Sequence, residues 1–181
     1  MSRLRDKYTK EVRPALQKEL GYGNVNQIPK IEKVVINAGV GRAVSDSKHL
    51  ETVTSTLRKI TGQQPVTTVA KTSIASFKLR DGNKIGVMVT LRGERMYEFL
   101  DRLVAVVLPR IRDFRGISDT AFDRQGNYSI GLKVQVVFQE ISFEESINSH
   151  GLQVNIVTSA GTTEDSKKLL ELMGFPFRRK N

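Results

Sequence analysis

The sequence predicts an α+β protein: a single domain over residues 1–181 with a mixed, mostly antiparallel sheet and helices packed on one face. Three observations lead there. A chain of 181 residues, 39% of them hydrophobic, is long enough for one sizeable core. Short stretches with apolar residues at period two alternate with stretches at helical period. The resulting order, αβαββαββα, holds too few tandem βαβ repeats for a parallel wound sheet.

Ser2 is placed to cap a first helix in which Leu4, Tyr8, Val12, Leu16 and Leu20 form an apolar stripe. Arg3, Arg5, Lys7, Lys10, Arg13 and Lys18 crowd the remainder, Pro14 kinks the helix or restarts it, and Gly21 with Gly23 ends it. A basic amphipathic helix can lie on a membrane, but this narrow stripe suits packing against a sheet, and no membrane partner is expected. Ile31–Val40 reads as the first strand, with Val34, Ile36, Ala38 and Val40 on one face and Lys33, Val35 and Asn37 on the other. Gly39 and Gly41 begin like a dinucleotide fingerprint, but the third glycine position is Val44. They read as a tight strand-to-helix turn. Ser45 or Asp46 opens a helix with Leu50, Val53, Leu57 and Ile60 inward, stopped by Gly62 at C′.

A second strand begins within Gln63–Val69, and Ala70–Asn83 is a polar, basic connection containing an Asp81-Gly82 turn. Lys71, Lys78, Arg80 and Lys84 give it four positive charges against one negative. Long irregular connections in compact domains usually carry function; the alternative is a merely solvated hairpin. The central strand follows, with Ile85, Val87, Val89 and Leu91 on one face and Gly86, Met88, Thr90 and Arg92 on the other. Gly93 breaks it, Glu94 suits the positive end of a helix dipole, and Met96, Phe99, Leu100, Leu103, Val104 and Val107 make the next helix apolar over most of its girth. Pro109 ends that helix. Arg110, Arg112 and Arg115 around Phe114 suit phosphate groups better than a core. The connection Pro109–Gly131 is long; Leu132–Phe138 then reads as a strand with Leu132, Val134, Val136 and Phe138 inward and Lys133 and Gln135 outward. A shorter strand, Gln153–Thr158, leads to a last helix capped by Thr163, with Leu169, Leu170, Leu172 and Met173 inward before Gly174 and a basic tail.

The net charge of +10 and a pI near 10.0 point to a polyanionic partner. Residues 140–173 hold six acidic side chains against two lysines and the tail adds three cations, so residues 1–139 carry +11. The polyanion should meet the first three quarters of the chain. Cysteine is absent, which excludes disulfides and thiolate metal sites and fits a reducing cytosol. No apolar run has the length of a signal peptide core or a bilayer span, so a soluble, cytoplasmic protein is expected.

The chemistry of an enzyme is not visible. His49 and His150 lie about a hundred residues apart with no cysteine to complete a site, and Glu140, Glu144 and Glu145 lack EF-hand spacing. No catalytic residue, metal or cofactor is expected. If helices cover one sheet face, Asn37, Met88, Thr90, Arg92, Lys133 and Gln135 make the other a surface of amides, hydroxyls and cations. Without paired exposed aromatics, such a face fits folded RNA, read by shape and 2′-hydroxyls, better than stacked single strands.

The runs KITGQQPVTTVAKTSIASFKLRDG, VTLRGERMYEFL, PRIRDFRG, FDRQGNYSIG and GFPFRRK resemble the bacterial large-subunit ribosomal protein five family over essentially the whole chain. The resemblance implies a non-catalytic α+β protein of the large subunit's central protuberance, working in the cytoplasm, that binds 5S rRNA. Its matching motif residues imply RNA contacts at Asn37, Gln63 and Thr90, to which Lys33, Arg92 and Lys133 are added as cations near that face. It further implies that the arm, with Lys71, Ser73, Lys78, Arg80 and Lys84, reaches P-site tRNA. A surface with Arg110, Arg112, Asp113, Phe114, Arg115, Glu140 and Glu144 would meet small-subunit ribosomal protein thirteen in an intersubunit bridge. Large-subunit rRNA and other central protuberance proteins are the remaining expected partners. Gln139, where many relatives carry proline, and the segment Ser146–His150 depart from the family pattern and bear on the bridge surface. The alternative reading is a free RNA-binding regulator or RNA chaperone using the same face.

Overall fold

The computed structural model describes residues 2–41, 47–142 and 149–178. It opens with helices α1 (Arg3–Lys7) and α2 (Arg13–Leu20), joined by a π turn, Tyr8–Val12. Pro14 explains the turn: it has no N–H to offer the Lys10 carbonyl, and its ring would press on that carbonyl in a regular helix. The chain widens instead, and the Arg13 N–H donates five residues back to the Tyr8 carbonyl. Helix α4 (Gly93–Arg102) meets Pro109 in the same way, through a π turn at Leu103–Val107 in which the Leu108 N–H donates to the Leu103 carbonyl.

Strands β1 (Ile31–Gly39), β2 (Val66–Val69), β3 (Lys84–Leu91), β4 (Tyr128–Leu132) and β5 (Leu152–Thr158) form one five-stranded antiparallel sheet in the order β2-β3-β1-β5-β4. Helices α3 (Ser47–Thr61) and α5 (Thr163–Met173) complete the expected α+β order. Val34, Ile36, Ala38, Val87, Val89, Leu91, Ile130, Val154 and Ile156 are buried, whereas Lys33, Val35, Asn37, Met88 and Thr90, on the opposite side of their strands, are half-buried. One sheet face is therefore sealed and the other more open, as alternation requires.

The segment Leu132–Phe138 departs from expectation. The strand ends at Leu132, and Gln135–Val137 forms a 3-10 turn, so period-two alternation no longer applies. Gln135, expected outward, is fully buried, while Val134 and Val136, expected inward, are 41% and 37% exposed. The buried amide is satisfied, because its Oε1 accepts the His150 N–H at 2.8 Å. Two caps also differ. Thr162 rather than Thr163 caps α5, its hydroxyl accepting the Asp165 N–H. Ser2 caps α1 through its carbonyl, which accepts from Arg5 and Asp6, and not through its hydroxyl. The expected caps of α3, Ser45 and Asp46, lie outside the described residues.

The chain divides into two compact units: Met1–Val34, Leu91–Ile130 and Asn155–Asn181 form one, Val35–Thr90 and Gly131–Val154 the other. In the first, α1, α2, α4, α5 and the two π turns bury Leu4, Val12, Leu16, Phe99, Leu100, Leu103, Leu169 and Leu170. Arg3 bonds Asp101 and Lys168 bonds Glu19, each at 2.8 Å; as exposed pairs they contribute little. The tail folds back: the Ile117 N–H donates to the Pro176 carbonyl, and the Phe177 ring packs on Phe122 and Tyr128. The second unit buries Val53, Leu57 and Ile60 of α3 with Ile36, Val87 and Val89. Among the described residues no helix is long and apolar enough to cross a membrane.

Candidate nucleic-acid interface

In the second unit the open sheet face is built by β1, β2 and β3. The β2–β3 register sets Val66 opposite Met88 and Thr68 opposite Gly86. Gly86 suits this close pairing, because a Cβ there would lie 2.6 Å from Thr68 Oγ1 and 3.2 Å from the Ala38 carbonyl, so the Thr68 hydroxyl would have to turn away. Val66 is 64% exposed, so the face mixes apolar side chains with the polar Asn37 and Thr90.

Asn37 and Thr90 sit where alternation places them, half-buried on that face. Neither side chain hydrogen-bonds within the protein among the described residues. Asn37 is therefore not an amide that ties strands together. Gln63, which alternation could not place, is brought to Thr90: its Nε2 donates to the Thr90 carbonyl at 3.2 Å. Lys133 is exposed just beyond β4 in this unit. Lys33 and Arg92 belong to the first unit, Lys33 on β1 and Arg92 at the N-cap of α4.

The arm is more ordered than an irregular connection. The Ala70 N–H donates to the Asn83 carbonyl and the Gly82 N–H to the Ala70 carbonyl, which closes its base. Ile74 and Leu79 form an antiparallel bridge around a 3-10 turn, Ala75–Phe77, and Lys78 takes a left-handed φ of 52°. Lys71, Lys78, Arg80 and Lys84 are exposed. Ser73 has a structural part, its hydroxyl accepting the Asp81 N–H at 2.9 Å. Sequence reasoning missed Phe77, which is 72% exposed at the tip; its aromatic character amid basic residues was the signal available.

Of the expected bridge residues, Arg110, Arg112, Asp113 and Arg115 are exposed and Phe114 half-buried in the first unit. Asp113 has a φ of 56° and its carboxylate lies 3.8 Å from Arg112. Glu140 belongs to the second unit, and Glu144 lies outside the described residues. His49 and His150, remote in sequence, meet edge-on with ring centroids 6.5 Å apart. No group of three or more potential metal ligands occurs among the described residues.

Two family models match the chain: ribosomal protein L5 over residues 24–80, and the C-terminus of the same ribosomal family over residues 84–177. A large ribosomal subunit protein uL5 from Desulforamulus reducens is 55% identical over 177 residues, covering 98% of each chain. Its counterparts from a Thermoanaerobacter species and Brevibacillus brevis are 55% and 53% identical over at least 98% of both chains. Fold, basic surface and relatives together define a structural protein of the ribosome rather than an enzyme. The chain belongs to the ribosomal protein L5 family.

Proposed function

We propose that this chain, acting as one domain in the bacterial cytoplasm, anchors 5S rRNA in the central protuberance of the large ribosomal subunit through its open sheet face. Asn37, Gln63 and Thr90 supply the hydrogen bonds, and Lys33, Arg92 and Lys133 the positive field. The observation that carries this reading is the pair Asn37 and Thr90, whose side-chain polar groups have no internal hydrogen-bond partner among the described residues. Such groups gain from a ligand what the fold does not give them. The basic arm contacts P-site tRNA, and the surface around Arg110–Arg115 with Glu140 and Glu144 meets small-subunit protein thirteen. Large-subunit rRNA and neighbouring protuberance proteins complete the environment.

The test is sedimentation of the tagged protein with analysis of its bound RNA. Co-migration wholly with large subunits, together with one small RNA, is the expected result. A free pool carrying mixed RNAs would favour an RNA-binding regulator or chaperone instead. Binding to isolated 5S rRNA should weaken with salt by a log–log slope of roughly −0.7 to −0.9 per phosphate neutralised.

A further inference from the structure

Helices α3 and α5 both end on a left-handed glycine, Gly62 at φ +64° and Gly174 at φ +98°, but they close differently. After α5 the Phe175 N–H donates to the Leu170 carbonyl at 3.0 Å and the Gly174 N–H to the Glu171 carbonyl at 2.9 Å, a complete Schellman motif. After α3 a single bond, Gly62 N–H to the Arg58 carbonyl at 2.8 Å, makes the simpler ending. That ending gives the next N–H, which belongs to Gln63, no backbone acceptor. Thr61 supplies one: its Oγ1 accepts the Gln63 N–H at 3.3 Å. The Thr61 side chain is itself fixed, since the residue is 5% exposed and its hydroxyl donates to the Leu57 carbonyl at 2.7 Å. The Gln63 carbonyl, at 3.2 Å, is the longer alternative acceptor.

Gln63 is thus held at both ends, by Thr61 at its backbone and by the Thr90 carbonyl at its Nε2. Among the described residues its Oε1 has no hydrogen-bond partner. We propose that Thr61 is a positioning residue for RNA binding, which fixes the Gln63 carboxamide so that Oε1 is presented as an acceptor; this rests on the reading of Gln63 as an RNA contact. An acceptor held in this way selects a hydrogen-bond donor, a ribose 2′-hydroxyl or a base amine, and gives nothing to a phosphate.

The test is a double-mutant cycle on affinity for synthetic 5S rRNA, corrected for active fraction, with Thr61→Val, Gln63→Ala, the double variant and Thr61→Ser. Removing the hydroxyl while keeping the side-chain shape should weaken binding about three- to tenfold, the scale of one hydrogen bond. The loss should vanish in the Gln63→Ala background, and Thr61→Ser, which keeps the hydroxyl, should restore binding. Equal losses from Thr61→Val in both backgrounds would mean a general structural role and overturn the proposal, as would no loss where Gln63→Ala does weaken binding. Unchanged affinity in Gln63→Ala alone removes the underlying contact and this inference with it.

Discussion

Asn37→Ala separates binding from folding most cleanly. Asn37 is half-buried on the open side of β1, between the buried Ile36 and Ala38, and its carboxamide has no hydrogen-bond partner among the described residues. Truncation therefore opens no core cavity and strands no internal group, and thermal stability should change by no more than a surface substitution, about 0.5 kcal/mol. In the complex the balance differs. If the carboxamide pairs with RNA in a desolvated contact, its removal leaves the RNA group unsatisfied at a cost of about 1–3 kcal/mol. That corresponds to roughly five- to a hundredfold in affinity. The salt slope should stay constant, because no charge is removed. The assay is a filter-binding or fluorescence titration with 5S rRNA at several salt concentrations, beside thermal unfolding of the same preparation. Marked destabilisation with unchanged affinity per folded molecule would refute the assignment of this residue to the binding face.

Two further outcomes are expected. Lys78→Ala with Arg80→Ala should leave thermal stability and 5S rRNA affinity nearly unchanged while weakening contacts with P-site tRNA, because both side chains are exposed on the arm; a loss of 5S rRNA binding as large as that of Asn37→Ala would contradict this division of labour. Burial pushes the phenols of Tyr8 and Tyr128 from the ordinary value of 10.0 up to about 12, aided by Tyr97 and Asp119 respectively. A raised phenol pKa stabilises the fold fully below pH 10 and loses that contribution as pH climbs to about 12. Denaturant unfolding should show stability falling through this window, with tyrosinate absorbance growing as the protein unfolds; tyrosines that ionise near pH 10 in an intact fold would show that burial does not hold them neutral.

Much of this structure is legible in local chemistry. β1 from Val34 to Ala38 and β3 from Val87 to Leu91 obey alternation because one side of each is sealed, which is why the sequence alone places Asn37 and Thr90; at Ile85 and Gly86 the pattern breaks, Gly86 being buried against Thr68. Gly62 and Gly174 mark helix ends because a left-handed residue is needed there. Alternation fails at Gln135, where the backbone leaves the extended state and a side-chain amide goes inside to meet the His150 N–H. Nothing in the local pattern of Leu132–Phe138 announces that partner, which is fifteen residues away. Gln63 shows the other limit: its bond to the Thr90 carbonyl joins a helix end to a strand, a relation set by tertiary packing.

The π turns ahead of Pro14 and Pro109 carry a consequence for chain length. Positions 4, 8, 12, 16 and 20, each four residues on, would wind roughly 160° around a regular α-helix and carry the last apolar residue to the far side from the first. Leu4, Val12 and Leu16 are nonetheless all buried, with Tyr8 and Leu20 half-buried. The wide turn takes up an extra residue without advancing the rotation, and so cuts that drift by about 100°, to roughly 60°. Removing one residue from Tyr8–Val12 would swing everything beyond it by about 100° unless Pro14 were replaced as well. Proline and spacing thus form a single unit of variation: neither can change alone without turning a buried stripe towards water, and Pro109 places the same condition on Leu103–Val107.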